Sequence, residues 1–231
     1  MKSWETFQPE LLNQKICRML LSVNKKCSRL AVLGELGRYP VILAGLKQCL
    51  KYQYQIDKQE NTTFVSKVML DMRNNPQIDS WFSKVETIKS IINIPEFFGT
   101  PARIGHCIDK HLKGKFDRFF LDEINNIKLG DDGRDHNKLR LYKTIKGSFT
   151  EEPYISNVLG RNQRSWLSRC RTSSHNLRIE SGRHTNPVTP LLLRVCRYCD
   201  SGDCDDKQHA ILYCKTFMLK RQCFFARITT M

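Results

Sequence analysis

Apolar residues recur at intervals of three and four through most of this 231-residue chain, the spacing that gathers them on one face of an α-helix. From Gln8 to Val23 the positions are Leu12, Ile16, Met19, Leu20 and Val23, with Pro9 in the first turn, where a missing N–H is tolerated. The pattern predicts an amphipathic helix with that stripe facing the core. Ser28 can cap a short helix through Leu30, Val32, Leu33 and Leu36 that Gly37 ends, and Pro40 can start another through Ile42, Leu46, Cys49 and Leu50. Together these two predict a helical hairpin. Lys58 to Thr63 reads as a connection, followed by a helix carrying Phe64, Val65, Val68, Met69 and Met72 that breaks at Asn74-Asn75-Pro76.

Asp79 then begins a helix striped by Trp81, Phe82, Val85, Ile88 and Ile92 and closed by Asn93-Ile94-Pro95. Thr100-Pro101 opens a long or interrupted helix with Ile104, Ile108, Leu112, Phe119 and Ile127, in which Gly105 and Gly114 are weak points. Beyond Gly130-Asp131-Asp132-Gly133, a helix from Lys138 to Lys146 spreads cations around Leu139, Tyr142 and Ile145. Glu152-Pro153-Tyr154 interrupts. A further helix then sets Arg161, Arg164, Arg169 and Arg171 outside a seam of Leu159, Trp166, Leu167 and Cys170, which makes Tyr142 and Trp166 core residues. The predicted class is all-α, a multi-helix body with a small C-terminal Cys/His zinc-binding module. Its divisions are a helical body over 1–130, a basic helical segment over 131–190 and the zinc-binding module over 191–231.

Charge changes the picture in one place. The formal net charge is +15, and residues 137–197 hold 12 Lys/Arg against 3 Asp/Glu while residues 61–136 balance at 11 of each. A cationic excess just before the cysteine-rich tail suits a polyanion partner, RNA or DNA, gripped at phosphates by Arg161, Arg164, Arg169, Arg171, Arg178 and Arg183. Exposed aromatics there would stack on bases. No run of apolar residues is long enough to span a bilayer, and the first residues lack a secretory core. The expected setting is intracellular and reducing, nucleus or cytoplasm left open, with no membrane partner. The ten cysteines are therefore not read as five disulfides, and Cys17, Cys27, Cys49, Cys107 and Cys170 are read as buried thiols.

Cys196 to Cys214 carries the chemistry. A C-x2-C pair forms a knuckle whose sulfurs point inward, and a downstream His/Cys pair completes a tetrahedron suited to zinc, with four protein donors and no open position for a reactive water. Five residues compete for four places. Cys196, Cys199, His209 and Cys214 give C-x2-C-x9-H-x4-C; admitting Cys204 gives C-x2-C-x4-C-x4-H. The first set is preferred, because Asp205 and Asp206 can begin a helix with Ile211, Leu212 and Met218 on its apolar side. His209 and Cys214 lie five residues apart, so that helix is expected to tighten or fray near Cys214. His106 and His111 lack converging donors, His175 reads as a cap, and Gly130 to Gly133 lacks the flanking strands a magnesium-binding aspartate pair needs. No catalytic residue is expected.

Several short motifs precede the cysteines in a fixed order: Gly34-Glu35-Leu36-Gly37-Arg38-Tyr39-Pro40, Lys51-Tyr52, Lys138-Leu139-Arg140-x-Tyr142-Lys143, Glu152-Pro153-Tyr154 and Arg171-x-Ser173-Ser174-His175-x-Leu177-x-Ile179-Glu180-x-Gly182-Arg183. In these the chain, from about Ile16 to Arg221, resembles the region C-terminal to the polymerase in invertebrate LINE-type (non-LTR) retrotransposon reverse transcriptase-like proteins. The resemblance implies a zinc-binding tail, with Cys196, Cys199, His209 and Cys214 as ligands, that helps hold RNA or target DNA. The Tyr-x-Asp-Asp palm and the endonuclease are not among these residues, so no DNA synthesis is expected of this chain by itself, and a polymerase domain on another chain is a possible partner. Lys207, Lys215 and Gln53 depart from the family's usual acidic residue, proline and tryptophan. The alternatives are a helical scaffold for protein partners and a transposon remnant without present function.

Overall fold

The structure is a computed structural model that describes residues 8–59, 63–77, 80–93, 101–126, 139, 141–157 and 160–229. The Gly130 to Gly133 tetrad, Asp79, Ile94-Pro95, Thr100, Ile127, Lys138, Arg140 and Leu159 lie outside these residues. The described residues are helical and contain no β-strand, only two isolated bridges, so the all-α class holds. None of their helices is long and apolar enough to cross a membrane. The helices are α1 Gln8–Leu21, α2 Arg29–Glu35, α3 Val41–Asp57, α4 Phe64–Asn74, α5 Trp81–Ile92, α6 Pro101–Asn125, α7 Tyr142–Ile145, α8 Pro153–Ser156, α9 Arg161–Arg171, α10 Arg178–Ser181 and α11 Met218–Thr229.

Two compact units divide the chain. The first comprises Met1–Cys17, Leu33–Asn126 and Lys146–Glu152. Its principal pairing is α3 on α6, with α4 against α3 and α5 against α4. Helix α6 runs unbroken through Gly105 and Gly114. Its buried residues Ile104, Ile108, Leu112, Phe116, Phe120 and Ile124 recur every four positions, forming one continuous ridge. That ridge burial outweighs the roughly 1 kcal/mol cost of each helical glycine. Phe149 joins it, its ring 5.0 Å from Phe116, 4.9 Å from Phe120 and 4.8 Å from Tyr39. The Tyr39 hydroxyl donates to Asp117 at 2.9 Å, and burial, aided by that carboxylate, pushes its pKa up to about 12.

Two of the quoted motifs meet in this unit. Leu36 bridges Glu151, and the Glu152 N–H donates to the Glu35 carbonyl at 3.0 Å. Gly37 makes this possible: its φ is +57°, and a Cβ there would lie 2.4 Å from the Glu151 nitrogen. Lys146 is buried, donating to the Thr150 carbonyl and to Glu152, each at 2.5 Å. This cation, predicted to lie on a basic helical exterior, is instead an internal staple of a short loop, and α7 is a single turn. Gln53 is buried and donates to Glu86 at 2.6 Å. The cap of α5 is Ser80, whose hydroxyl accepts from the Ser83 N–H at 3.1 Å, and Asn93 ends that helix in the left-handed conformation.

Helix α1 forms where predicted but buries the opposite face. Glu10, Asn13, Gln14, Cys17 and Leu21 are inside, while Leu12, Ile16, Met19 and Leu20 are exposed. The reason is specific bonding. Pro40 offers no side-chain cap to α3, and the Glu10 carboxylate takes its place, accepting the Val41 N–H at 2.7 Å.

The second unit comprises Arg18–Val32, Ile127–Ile145 and Pro153–Met231. Polar bonds hold much of it: Arg169 Nε donates to the Ser22 carbonyl at 2.8 Å, the Asn24 N–H to the Ser174 hydroxyl at 3.0 Å, and Tyr154 and Ser168 share a bond of 2.9 Å. Tyr142 is fully buried, as predicted, its hydroxyl donating to the Ala31 carbonyl at 3.3 Å.

Candidate metal centre

The cysteine tail is built from a hairpin and a distorted helix. The Cys196 N–H donates to the Asp203 carbonyl and the Asp205 N–H to the Arg194 carbonyl, both at 2.8 Å, around an antiparallel Val195–Cys204 bridge. Gly202, at φ +72°, supplies the left-handed residue at the turn. Within the turn the Tyr198 N–H points back at Cys196 Sγ, 3.4 Å away. This is the inward-facing knuckle that the C-x2-C spacing predicts.

Opposite it, Asp206 starts the helix by accepting the His209 N–H at 2.8 Å. Asp205 does something else. Buried, it accepts the Arg178 N–H through Oδ2 at 2.8 Å and the Ile179 N–H through its carbonyl at 3.1 Å, so it caps α10. The helix widens ahead of Cys214, and the expected tightening follows directly after it in the 3-10 turn Lys215–Phe217. Residues His209–Tyr213 form a π-helix closed by the Cys214 N–H to the His209 carbonyl at 2.7 Å. In an α-helix residues five apart point in divergent directions, and the wider turn brings the fifth residue back toward the first. Ile211, Leu212 and Met218 are exposed rather than forming a buried apolar side, because the turn is oriented by its ligands.

Cys196, Cys199, His209 and Cys214 thereby place their ligand atoms within 4.8 Å of one another, the one such group able to hold a metal ion among the described residues. Cys196 and Cys214 sulfurs are 3.9 Å apart, and Cys199 Sγ is 3.3 Å from His209 Nε2. Cys204 belongs to the bridge instead, outside the cluster. The donors fit a metal in protonation as well as in position. His209 Nε2 faces Cys199, while Nδ1 lies 3.4 Å from an exposed Asp203 carboxylate oxygen without a hydrogen bond between them. Hydrogen bonds from the Ser201 hydroxyl and backbone, helped by His209, bring the Cys199 pKa down to about 6, so its thiolate is present at neutral pH. Burial pushes Cys196 the other way, so this thiol must release a proton to an incoming cation. Ser201, at 3.3 Å from Cys199 Sγ, is the supporting residue the sequence reading missed, whereas Asp206 begins the helix as expected. Only Asp206, three residues before His209, carried a readable capping signal.

The six arginines fare differently. Arg161 and Arg164 are exposed. Arg169 is bound to Ser22, Arg171 lies over the Tyr154 ring at 5.7 Å and Arg183 pairs with Glu180 at 3.2 Å. Arg178 is half-buried at the start of α10. Trp166, predicted as core, is 70% exposed, and its neighbour Leu167 is exposed too; α9 buries its small Ser168 against Tyr154 instead. His175 is a hydrogen-bonding residue of the turn between α9 and α10, its Nδ1 accepting the Leu177 N–H at 3.4 Å. Searches against protein-family models, curated proteins and solved structures find no match to this chain.

Proposed function

We propose that this chain is a zinc-stabilised accessory domain that binds RNA or DNA without polymerase activity, derived from the post-polymerase region of a LINE-type retrotransposon protein. The observation that carries the reading is the closed Cys3His cluster, with Cys196, His209 and Cys214 buried. Zinc bonds of about 2.3 Å to sulfur and 2.0 Å to nitrogen imply tetrahedral edges of roughly 3.8 Å between sulfurs and 3.5 Å between sulfur and nitrogen. The separations of 3.9 and 3.3 Å lie close to both. When bound, the ion supplies cross-linking between hairpin and helix, and with all four positions taken by protein it activates no water. The motifs quoted above support the retrotransposon origin, and the cationic excess over residues 137–197 supports the polyanion partner.

Filter binding at two salt concentrations tests the reading. Phosphate contacts release condensed counterions, so affinity should fall steeply between about 50 and 200 mM salt. Affinity undetectable at the lower salt, or indifferent to it, refutes nucleic-acid binding. The second reading, a protein-interaction scaffold, is favoured by the exposed apolar face of α1, Leu12, Ile16, Met19 and Leu20. A pull-down that keeps its protein partners after nuclease treatment and retains no RNA or DNA would select it.

A further inference from the structure

Within the second unit, α9, the turn after it and the knuckle enclose an open groove of about 650 Å3, within the size range of small-ligand sites, roughly 300 to 1,000 Å3. Trp166, Arg169, His175, Arg197, Tyr198 and Asp205 line it. The two large aromatics are not filling a core: Trp166 is 70% and Tyr198 58% exposed. Arg197 and Tyr198 are the two residues between the paired cysteines, so the same N–H to sulfur bonding that turns the backbone inward leaves both side chains on the surface. Tyr198 is held there by the Phe217 ring at 5.5 Å and by the Thr216 hydroxyl on its carbonyl. Asp205 is 2% exposed, and although its Oδ2 caps α10, its Oδ1 has no hydrogen-bond partner.

We infer that this groove binds single-stranded nucleic acid, receiving an unpaired base on Trp166, beside Tyr198, with the flanking phosphate at Arg197. Aromatic faces accept any base, and an exposed guanidinium pairs with phosphate oxygens. A duplex keeps its bases stacked on each other and has none to offer. The inference rests on the nucleic-acid reading above but goes beyond it, in naming the strand form and the groove.

The test uses the full zinc-loaded chain, an oligouridylate of about 12 nucleotides and an RNA duplex of equal length. Trp166→Ala should weaken oligouridylate binding roughly 5- to 150-fold, the fold-change of one lost base–aromatic stack, and leave duplex binding unchanged. Trp166→Phe should keep most of the affinity yet lose the part of the tryptophan fluorescence quench that Trp166 contributes. Arg197→Gln should shallow the salt dependence for the single strand. If Trp166→Ala leaves oligouridylate affinity intact, or weakens single strand and duplex alike, the groove inference is overturned while nucleic-acid binding stands. The same holds if polyglutamate competes as well as polyuridylate, which would make the groove a general anion surface. If the wild-type chain binds neither RNA at low salt, both the inference and the function it rests on fall.

Discussion

The Cys/His module and helix α1 both bury polar side chains and leave apolar ones outside. In the module, Cys196, Cys199, His209 and Cys214 turn toward one another, within 4.8 Å, while Ile211, Leu212 and Tyr213 are exposed. In α1, Glu10, Asn13 and Gln14 are buried, while Leu12, Ile16, Met19 and Leu20 are exposed. What differs is how the buried groups are satisfied. The module's donors share one prospective partner, so they stand or fall together. Those of α1 are met by separate bonds, Glu10 by the Val41 N–H and the Asn13 amide, while the Gln14 side chain makes no hydrogen bond. A shared ligand makes a region cooperative, whereas separate bonds fail one at a time.

The largest expected effect comes from breaking the shared ligand. Cys199→Ser, or chelation of the wild-type protein, should abolish metal binding, read by metal analysis of the purified chain. It should also unfold the tail, because structural zinc supplies about 10–16 kcal/mol of apparent binding energy to such modules. Circular dichroism should keep most of the helical signal, since α3 to α6 make none of the ligands. Full metal content in Cys199→Ser would end the comparison.

Metal affinity should also fall with pH. The pKa of Cys199 is brought down to about 6, so at this one sulfur the metal competes with protons chiefly below that value. Cys196 is raised, so it gives up a proton on binding throughout the neutral range. Proton release measured by calorimetry in buffers of different ionisation enthalpy checks the sign.

Next in size is Gly37→Ala. With φ at +57° and the Glu151 nitrogen 2.4 Å from the new Cβ, backbone must move, and a loss of more than about 1 kcal/mol is expected in denaturant unfolding. Glu10→Ala should cost about 1–2 kcal/mol by uncapping α3, with metal content unchanged. The smallest effect belongs to the outer face of α1. Met19→Lys should alter stability by no more than about 0.5 kcal/mol, and a loss well above that would mean that a partner covers this face.

Legibility followed the range of the interaction. The ligand set was readable because C-x2-C and the His/Cys pair are local spacings with one chemistry in common. The π-turn at His209–Tyr213 was not, because α-periodicity describes the free helix and not one pulled by a ligand cluster. Trp166 misled for a related reason: it lies on the apolar seam of α9, but the room beneath that helix is taken by Ser168 and Tyr154. Asp205 and Asp206 look alike in sequence and cap different helices, which only the approach of residues 178–179 decides.

By itself the sequence determined that this protein is helical and where most helices run, since periodicity and end signals act within a few residues. It also narrowed the metal ligands to five side chains with one preferred set of four, and the structure excluded Cys204. The tertiary structure decided which face of each helix turns inward, which cations are spent on internal bonds and which aromatics reach the surface. Those outcomes depend on partners distant along the chain: the Glu10 face of α1 is buried because the start of α3 lacked a cap, and no pattern within α1 records that need.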